Sequence, residues 1–160
     1  ISASLFKRYN ATTFLNLESY HSSIWIPDNT VAIASLKLYS VNAKNDYDII
    51  CKKWVEYAKM HYIDENTKVL YSTINGDTGE PAEEPRGSML GWRIMFIYQF
   101  DKEFAVELYN NYKKYFSENW LIFRLFRERY NNKETSMGDI DSGPIFLGYS
   151  IPANEFALSN

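Results

Sequence analysis

The segment that decides the predicted fold lies at residues 86–116 and reads RGSMLGWRIMFIYQFDKEFAVELYNNYKKYF. After its opening serine, the run at 88–99 is almost entirely apolar, which is typical of a helix buried on most sides. Asp101 then provides a favourable N-cap for residues 102–116. The apolar side chains of that second run recur at helical spacing and form one stripe: Phe104, Ala105, Leu108, Tyr112 and Tyr115. The segment therefore predicts a buried inner helix followed by an amphipathic outer helix.

The same order of elements recurs along the chain. Asp28 and the asparagine after it are good N-cap residues and precede an apolar run at 30–40. An amphipathic run at 46–61 follows it. A third apolar segment, 145–149, comes after Pro144, which suits the first turn of a helix. The polar loops begin about 55 residues apart, and this period indicates stacked helical hairpins whose polar loops converge at the start of the inner helices.

Two stretches depart from the helical pattern. Residues 68–74 have the composition of a strand and lead into the turn-forming sequence at 75–79, Asn-Gly-Asp-Thr-Gly. Residues 120–126 are mostly apolar and fit neither element clearly. The predicted fold class is therefore mainly α, with helical hairpins and minor β-hairpin insertions, in a single domain over residues 1–160.

Three motifs resemble those of a group of largely uncharacterised bacterial proteins, similar to (α/α) toroids of the linalool dehydratase-isomerase type. They are Pro-Asp-Asn-Thr-Val-Ala-Ile-Ala-Ser-Leu at 27–36, Pro-Arg-Gly-Ser at 85–88 and Asp-Ile-Asp-Ser-Gly-Pro at 139–144. The resemblance implies a ring of α-hairpins around a central pocket. Three hairpins are fewer than a complete toroid has, which implies a partial ring, the C-terminal part of a longer toroid. The cysteine and histidine pattern of the dehydratase is not visible here, so its activity is not implied.

A partial ring has consequences for partners and for location. Its open edges would expose apolar surface, so we expect self-association or a missing part of the same chain. The first residue is Ile1 rather than methionine, which also favours a piece of a longer polypeptide. The single cysteine, Cys51, is tolerated in reducing and oxidising compartments alike. The sequence therefore leaves the location open, the cell envelope and periplasm included.

Composition excludes several classes of function. The 160 residues carry 17 Lys and Arg against 20 Asp and Glu, and the net charge of −3 argues against nucleic acid as a partner. With Cys51 alone, and with His21 and His61 as the chain's two histidines, multi-cysteine zinc sites and histidine-rich metal sites are excluded. Phosphate-binding glycine loops and the serine-hydrolase elbow are absent as well. We expect no cofactor and no metal.

Four acidic residues are candidates for catalysis. Asp139 and Asp141 are separated by one residue, and paired carboxylates in a desolvated pocket can split their pKa values into an acid and a base. Asp28 occupies the matching position before the first apolar run. The alternative for these aspartates is helix capping or simple solvation. Glu128 lies between two arginines, a pattern typical of a solvated charged face, and is the member of that cluster to test as an acid or base.

Four further residues are candidates for substrate binding. Arg86 could clamp a ligand carboxylate or hydroxyls, or hold Asp139 or Glu84 in a structural ion pair. Three aromatic side chains near the polar loops could stack on a sugar or an apolar ligand, although most aromatic residues of such a fold serve packing. They are Trp25, Tyr71 and Trp92.

These residues support two classes of function. The first is an enzyme that performs acid–base hydrolysis, elimination or hydration on a sugar-like or small apolar substrate in a toroid pocket. The alternative is a ligand-binding or structural helical domain without turnover. In either case the expected partner is a small molecule or carbohydrate.

Overall fold

The computed structural model describes residues 1–43, 46–130 and 138–157. Within these residues the chain forms six helices, three of them long. The helices are α1 Ser2–Ala11, α2 Ile26–Ala43, α3 Asp48–His61, α4 Gly87–Ile97, α5 Lys102–Phe116 and α6 Ile151–Ala157. They pack around one cluster of buried side chains, in which α4 contacts α2, α5 and α6. In the described part of the chain, no helix combines the length and the apolar character that crossing a membrane requires.

Three small antiparallel sheets accompany these helices in the described residues. Their strands are β1 Ser23–Trp25, β2 Thr73–Asn75, β3 Pro81–Glu83, β4 Ser117–Trp120, β5 Phe123–Phe126, β6 Gly138–Asp139, β7 Gly143–Phe146 and β8 Tyr149–Ser150. The first sheet has the order β1-β2-β3, the second pairs β4 with β5, and the third has the order β6-β7-β8. No strand is longer than four residues in this described set. The sheets therefore join helices and shape loops rather than form a layer.

The predicted fold class, a mainly α toroid built from helical hairpins, is wrong. The described fold is a small mixed α/β arrangement in which the third apolar segment, 145–149, belongs to strands β7 and β8. That segment is too short for a stable helix, and it turns back on itself at Leu147 and Gly148, both with positive φ. Without a third inner helix, the hairpin repeat that motivated the toroid is absent from the described residues.

Helices occur at the other predicted positions. The structure has helices α2, α3, α4 and α5 at the four segments that the sequence predicts as helical, 30–40, 46–61, 88–99 and 102–116. Asp101 caps α5 as expected, since its carboxylate accepts a hydrogen bond from the backbone N–H of Phe104 at 2.9 Å. α2 instead begins at Ile26, so Asp28 lies in its first turn rather than at its N-cap.

The core is rich in aromatic side chains that carry a satisfied polar atom. Trp54 of α3 is fully buried, and its Nε1–H donates to Asn16 Oδ1 at 2.8 Å. Tyr112 of α5 is equally buried and donates to the backbone oxygens of Gly87 and Ala153. Tyr112 thereby links α5 to the start of α4 and to α6. These bonds explain how so many tyrosines and tryptophans fit a small core.

Candidate functional site

A cleft of about 510 Å³ lies where the β1–α2 junction, the N-terminal turn of α4 and the β6–β7 turn meet. Its lining combines aromatic and aliphatic side chains with two carboxylates. The lining residues are Trp25, Pro27, Asp28, Val31, Ser88, Met89, Trp92, Asp141 and Phe156. We refer to this set as the tryptophan cleft. Its volume falls within the range usual for small-molecule sites, about 300–1,000 Å³.

Neighbouring rings hold the two indoles of the tryptophan cleft in place. Trp25 meets the ring of Tyr20 edge-on, with 5.7 Å between centroids. Trp92 packs against Phe96 at 5.2 Å and edge-on against Phe156 at 5.1 Å. Both tryptophans are half-buried, so each keeps part of its ring surface open to the cleft.

A buried asparagine fixes the junction that presents Trp25 and Asp28. Asn29 Oδ1 accepts hydrogen bonds from Tyr9 Oη at 2.7 Å and from the backbone N–H of Leu17 at 2.8 Å. Its Nδ2 donates to the backbone oxygens of Leu17 and Trp25 at 3.0 and 2.8 Å. With all four bonds made, the start of α2 is held rigidly, and the neighbouring Asp28 carboxylate is directed from a fixed backbone.

The β6–β7 turn presents the second carboxylate, that of Asp141. Asp139 organises this turn, since its Oδ1 accepts from the backbone N–H groups of Asp141 and Ser142 at 3.0 and 2.9 Å. The pKa of Asp141 is raised by partial desolvation, with smaller raising contributions from neighbouring acidic groups that include Asp139 and Asp28, against the opposing effect of Arg86. A carboxyl group of this kind holds its proton to a higher pH than an unperturbed aspartate does.

A largely buried ion-pair cluster lies next to the cleft. Arg86 Nε donates to Glu128 Oε1 at 2.9 Å, and Arg86 Nη2 donates to Asp139 Oδ1 at 2.7 Å. Arg86 also lies 3.5 Å from Glu83. The other partners of Glu128 are hydroxyl and backbone donors: Ser88 Oγ at 2.7 Å, Ser88 N at 2.9 Å and Ser150 Oγ at 2.8 Å.

This bonding pattern favours a structural role for Glu128. Its side chain is 1% exposed, and each carboxylate oxygen accepts two hydrogen bonds. A carboxylate without open lone pairs or solvent access is poorly placed to exchange a proton with a substrate. Glu128 instead ties the first turn of α4, through Ser88, to the end of β8 through Ser150.

The structure separates the predicted site residues into three groups. Asp28, Asp141, Trp25 and Trp92 line the tryptophan cleft together. The adjoining ion-pair cluster contains Arg86, Glu128 and Asp139. Of the two structural partners predicted for Arg86, Asp139 or Glu84, Asp139 pairs with it here. Tyr71 lies apart, packed against the core, and its backbone oxygen accepts a hydrogen bond from Arg93.

Sequence reasoning missed two residues that shape the site. The sequence predicts Asn29 as a capping residue, but it is buried and holds the β1–α2 junction through four hydrogen bonds. The sequence predicts Ser88 as the start of a helix, and in the structure it also lines the cleft while donating to Glu128. Apart from Trp25, the partners of Asn29 lie 12 and 20 residues away along the chain, and Glu128 lies 40 residues from Ser88, so no local pattern could have revealed these contacts.

No protein-family model matches this chain, and no curated protein matches it in sequence. The resemblance to toroid proteins therefore stays a prediction, and the function is argued from the cleft itself. Within the described residues, no cluster of three or more His, Cys, Asp or Glu side chains could hold a metal ion.

The Arg86–Asp139 pair gives the chain a defined acid sensitivity. The guanidinium of Arg86, as a hydrogen-bond donor, holds the pKa of Asp139 well below its usual range. A lowered folded-state pKa contributes stability above the unfolded value of about 3.9, and this contribution is lost as the pH falls through the folded value.

We expect Asp139→Asn to lower the free energy of unfolding at neutral pH by about 1 kcal/mol or less, because the Asp139 side chain is half exposed. The difference from wild type should shrink as the pH falls below about 3.9. Urea denaturation across a pH series measures it. A difference that is constant down to the lowest pH would show that the charge of Asp139 is not the cause.

Proposed function

We propose that the tryptophan cleft binds a sugar-like small molecule. The carrying observation is that two half-buried indoles and two carboxylates line the same cleft. Trp25 and Trp92 supply apolar ring surfaces, whereas Asp28 and Asp141 supply hydrogen-bond acceptors.

This combination matches the chemistry of a sugar ring. A pyranose presents C–H groups on its faces and hydroxyl groups around its rim. The C–H faces pack on aromatic rings, and aromatic side chains carry a large apolar contact area with defined geometry. The hydroxyl groups donate to carboxylates, and hydrogen bonds to charged acceptors contribute about 1.5–3 kcal/mol each. A purely apolar ligand would offer no hydrogen-bond donor to either carboxylate of the cleft.

A second candidate function, acid–base hydrolysis of a glycosidic bond, is favoured by the raised pKa of Asp141. In that reaction Asp141 donates its proton to the leaving-group oxygen as the bond from that oxygen to the anomeric carbon breaks. Water adds to the anomeric carbon, and Asp28 takes the proton that the water loses. Asp139 is a poor proton donor because Arg86 stabilises its ionised form.

The binding proposal is tested by isothermal titration with a panel of mono- and oligosaccharides. Trp25→Ala and Asp141→Asn should each weaken the binding of a sugar ligand by about tenfold or more. Trp120→Ala is the matched control, because Trp120 is an exposed tryptophan on β4 that is not part of the cleft lining. If no saccharide binds, or if Trp120→Ala weakens binding as much as Trp25→Ala, the proposal is wrong.

Turnover is tested separately with chromogenic aryl glycosides. If the cleft is catalytic, Asp141→Asn should lower kcat by about a hundredfold or more, since it removes the proton donor. Glu118→Gln, an exposed site on β4, should leave kcat unchanged. Saccharide binding that Asp141→Asn weakens, without any turnover by wild type, would retain the binding function and reject the hydrolase.

A further inference from the structure

The β4–β5 hairpin carries four consecutive exposed apolar residues at its turn, Trp120–Phe123, which we call the hairpin apex. Trp120 and Phe123 face each other across the strands and are 63% and 62% exposed. Leu121 and Ile122 form the connecting turn and are 91% and 90% exposed. Such a run of exposed apolar residues lowers solubility, and a run of this length is therefore expected to serve a function.

The backbone of the apex adds a second local cost. Leu121 has a φ of 54°, in the region where a two-residue hairpin turn usually places glycine or asparagine. A leucine there is disfavoured by contact between its Cβ and the backbone. The turn therefore uses an apolar side chain where both solvation and backbone geometry favour a different residue. Strain of this kind concentrates at functional positions.

The hairpin is firmly anchored at its base. Phe126 is buried, and its backbone N–H donates to Asn154 Oδ1 at 2.9 Å. The next residue, Arg127, donates its backbone N–H to Phe116 at 2.8 Å. An anchored base holds the apex in a set position, so little conformational entropy is lost when the apex contacts another surface.

Charge around the hairpin differs in sign from the rest of the chain. The segment 113–127 carries four basic side chains and one acidic side chain, whereas the chain has a net charge of −3. Glu118 is already paired with Arg127. Arg124 lies one residue from the apex, exposed, with its Nε–H donating to Asn119. The hairpin thus combines an apolar tip with local positive charge.

We propose that the hairpin apex inserts into the surface of an anionic lipid bilayer. Leu121 and Ile122 would enter the acyl region, and Trp120 would lie at the headgroup level, where tryptophan is enriched. Basic side chains of the segment 113–127 would contact anionic headgroups. A second copy of the chain fits less well, because a convex two-residue turn offers far less area than the roughly 1,000 Å² that a stable interface needs.

The test is co-sedimentation of the purified chain with two kinds of vesicle, phosphatidylcholine alone and phosphatidylcholine with an equal amount of phosphatidylserine. We expect binding to the mixed vesicles, and we expect the bound fraction to fall with rising salt, which screens the cationic contacts. The double variant Leu121→Gly/Ile122→Ser should reduce the partition coefficient about tenfold or more. Its thermal midpoint should equal or exceed that of wild type, because these residues suit the turn.

A matched control removes two other exposed apolar side chains elsewhere. Leu38→Gln/Val41→Gln on α2, at 66% and 72% exposure, should leave vesicle binding unchanged. Failure of wild type to bind mixed vesicles would overturn the proposal, as would an equal loss in the control variant. Dimerisation in light scattering that the turn variant abolishes, without vesicle binding, would also overturn it and would assign the apex to a second copy.

Discussion

Replacing Glu128 with glutamine is expected to lower the free energy of unfolding by about 3 kcal/mol or more, since it deprives the buried Arg86 guanidinium of its one fully buried charged partner. Arg86 would keep the half-exposed Asp139 and the more distant Glu83. The amide of glutamine also places an NH₂ group where Glu128 now accepts two hydrogen bonds. Ser88 and Ser150 together contribute three of the four donors, so a donor would face donors.

Urea denaturation followed by tryptophan fluorescence measures this change. Glu118→Gln is the matched control, because Glu118 forms an exposed pair with Arg127, and exposed pairs add little stability. The control should unfold close to wild type. If both glutamine variants unfolded at the same urea concentration as wild type, Glu128 would not stabilise the start of α4.

Substitution of Gly87 by alanine is expected to destabilise the fold by about 3 kcal/mol or more. A Cβ atom at Gly87 would lie 2.1 Å from the backbone oxygen of Arg127 and 3.1 Å from the Ala153 Cβ. The nearest atom belongs to backbone, so the clash is relieved only by separating α4 from the residues after β5. That shift would also stretch the hydrogen bond from the Gly87 N–H to the backbone oxygen of Glu128, now 2.9 Å long.

Thermal denaturation of Gly87→Ala against Gly76→Ala tests this close approach. At Gly76 the nearest atom to a new Cβ is the carboxylate end of Glu18, at 2.8 Å, which is a flexible exposed side chain that can move away. Gly76→Ala should therefore lower the midpoint less than Gly87→Ala. The reverse order would show that α4 and the end of β5 pack less tightly than described.

Sequence reasoning succeeds here where structure is decided locally. α5 begins after Asp101 because one carboxylate caps it, and its apolar stripe alone selects the buried side. α4 was recognisable because its residues are apolar nearly all round, as a helix enclosed by three others requires. Periodicity and capping are properties of neighbouring residues, so a single sequence shows them.

Sequence reasoning fails where pairing over long distances decides the structure. β1 pairs with β2, which lies about fifty residues further along the chain, and neither strand exceeds three residues. The segment 145–149 has the composition of a buried helix start, but the positive φ of Gly148 turns it into a hairpin. The predicted repeat of helical hairpins, which the toroid resemblance also implied, needs a third inner helix at that segment. The segment forms strands instead, and the toroid prediction is wrong.

The candidate site follows the same division. Asp28 is a candidate because it precedes an apolar helix, and Trp92 because it is an aromatic residue near a polar loop. Packing of α2 on α4 places both on one cleft. Asp141 reaches that cleft from a strand turn rather than from a helix. The saturated bonding of Glu128 was not predictable, since its partners Ser88 and Ser150 are 40 and 22 residues away.

Binding of a sugar-like ligand between Trp25 and Trp92 would change the proton–nitrogen correlation signals of their indole groups, and nuclear magnetic resonance measures those signals one by one. The chain has four tryptophans, which single Trp→Phe variants assign. During titration with saccharides, the signals of Trp25 and Trp92 should shift together. The signal of Trp54 should not shift, because this side chain is buried and donates to Asn16. The signal of Trp120, at the hairpin apex, should not shift either. Shifts confined to Trp120, or no shift with any saccharide, would contradict saccharide binding between Trp25 and Trp92.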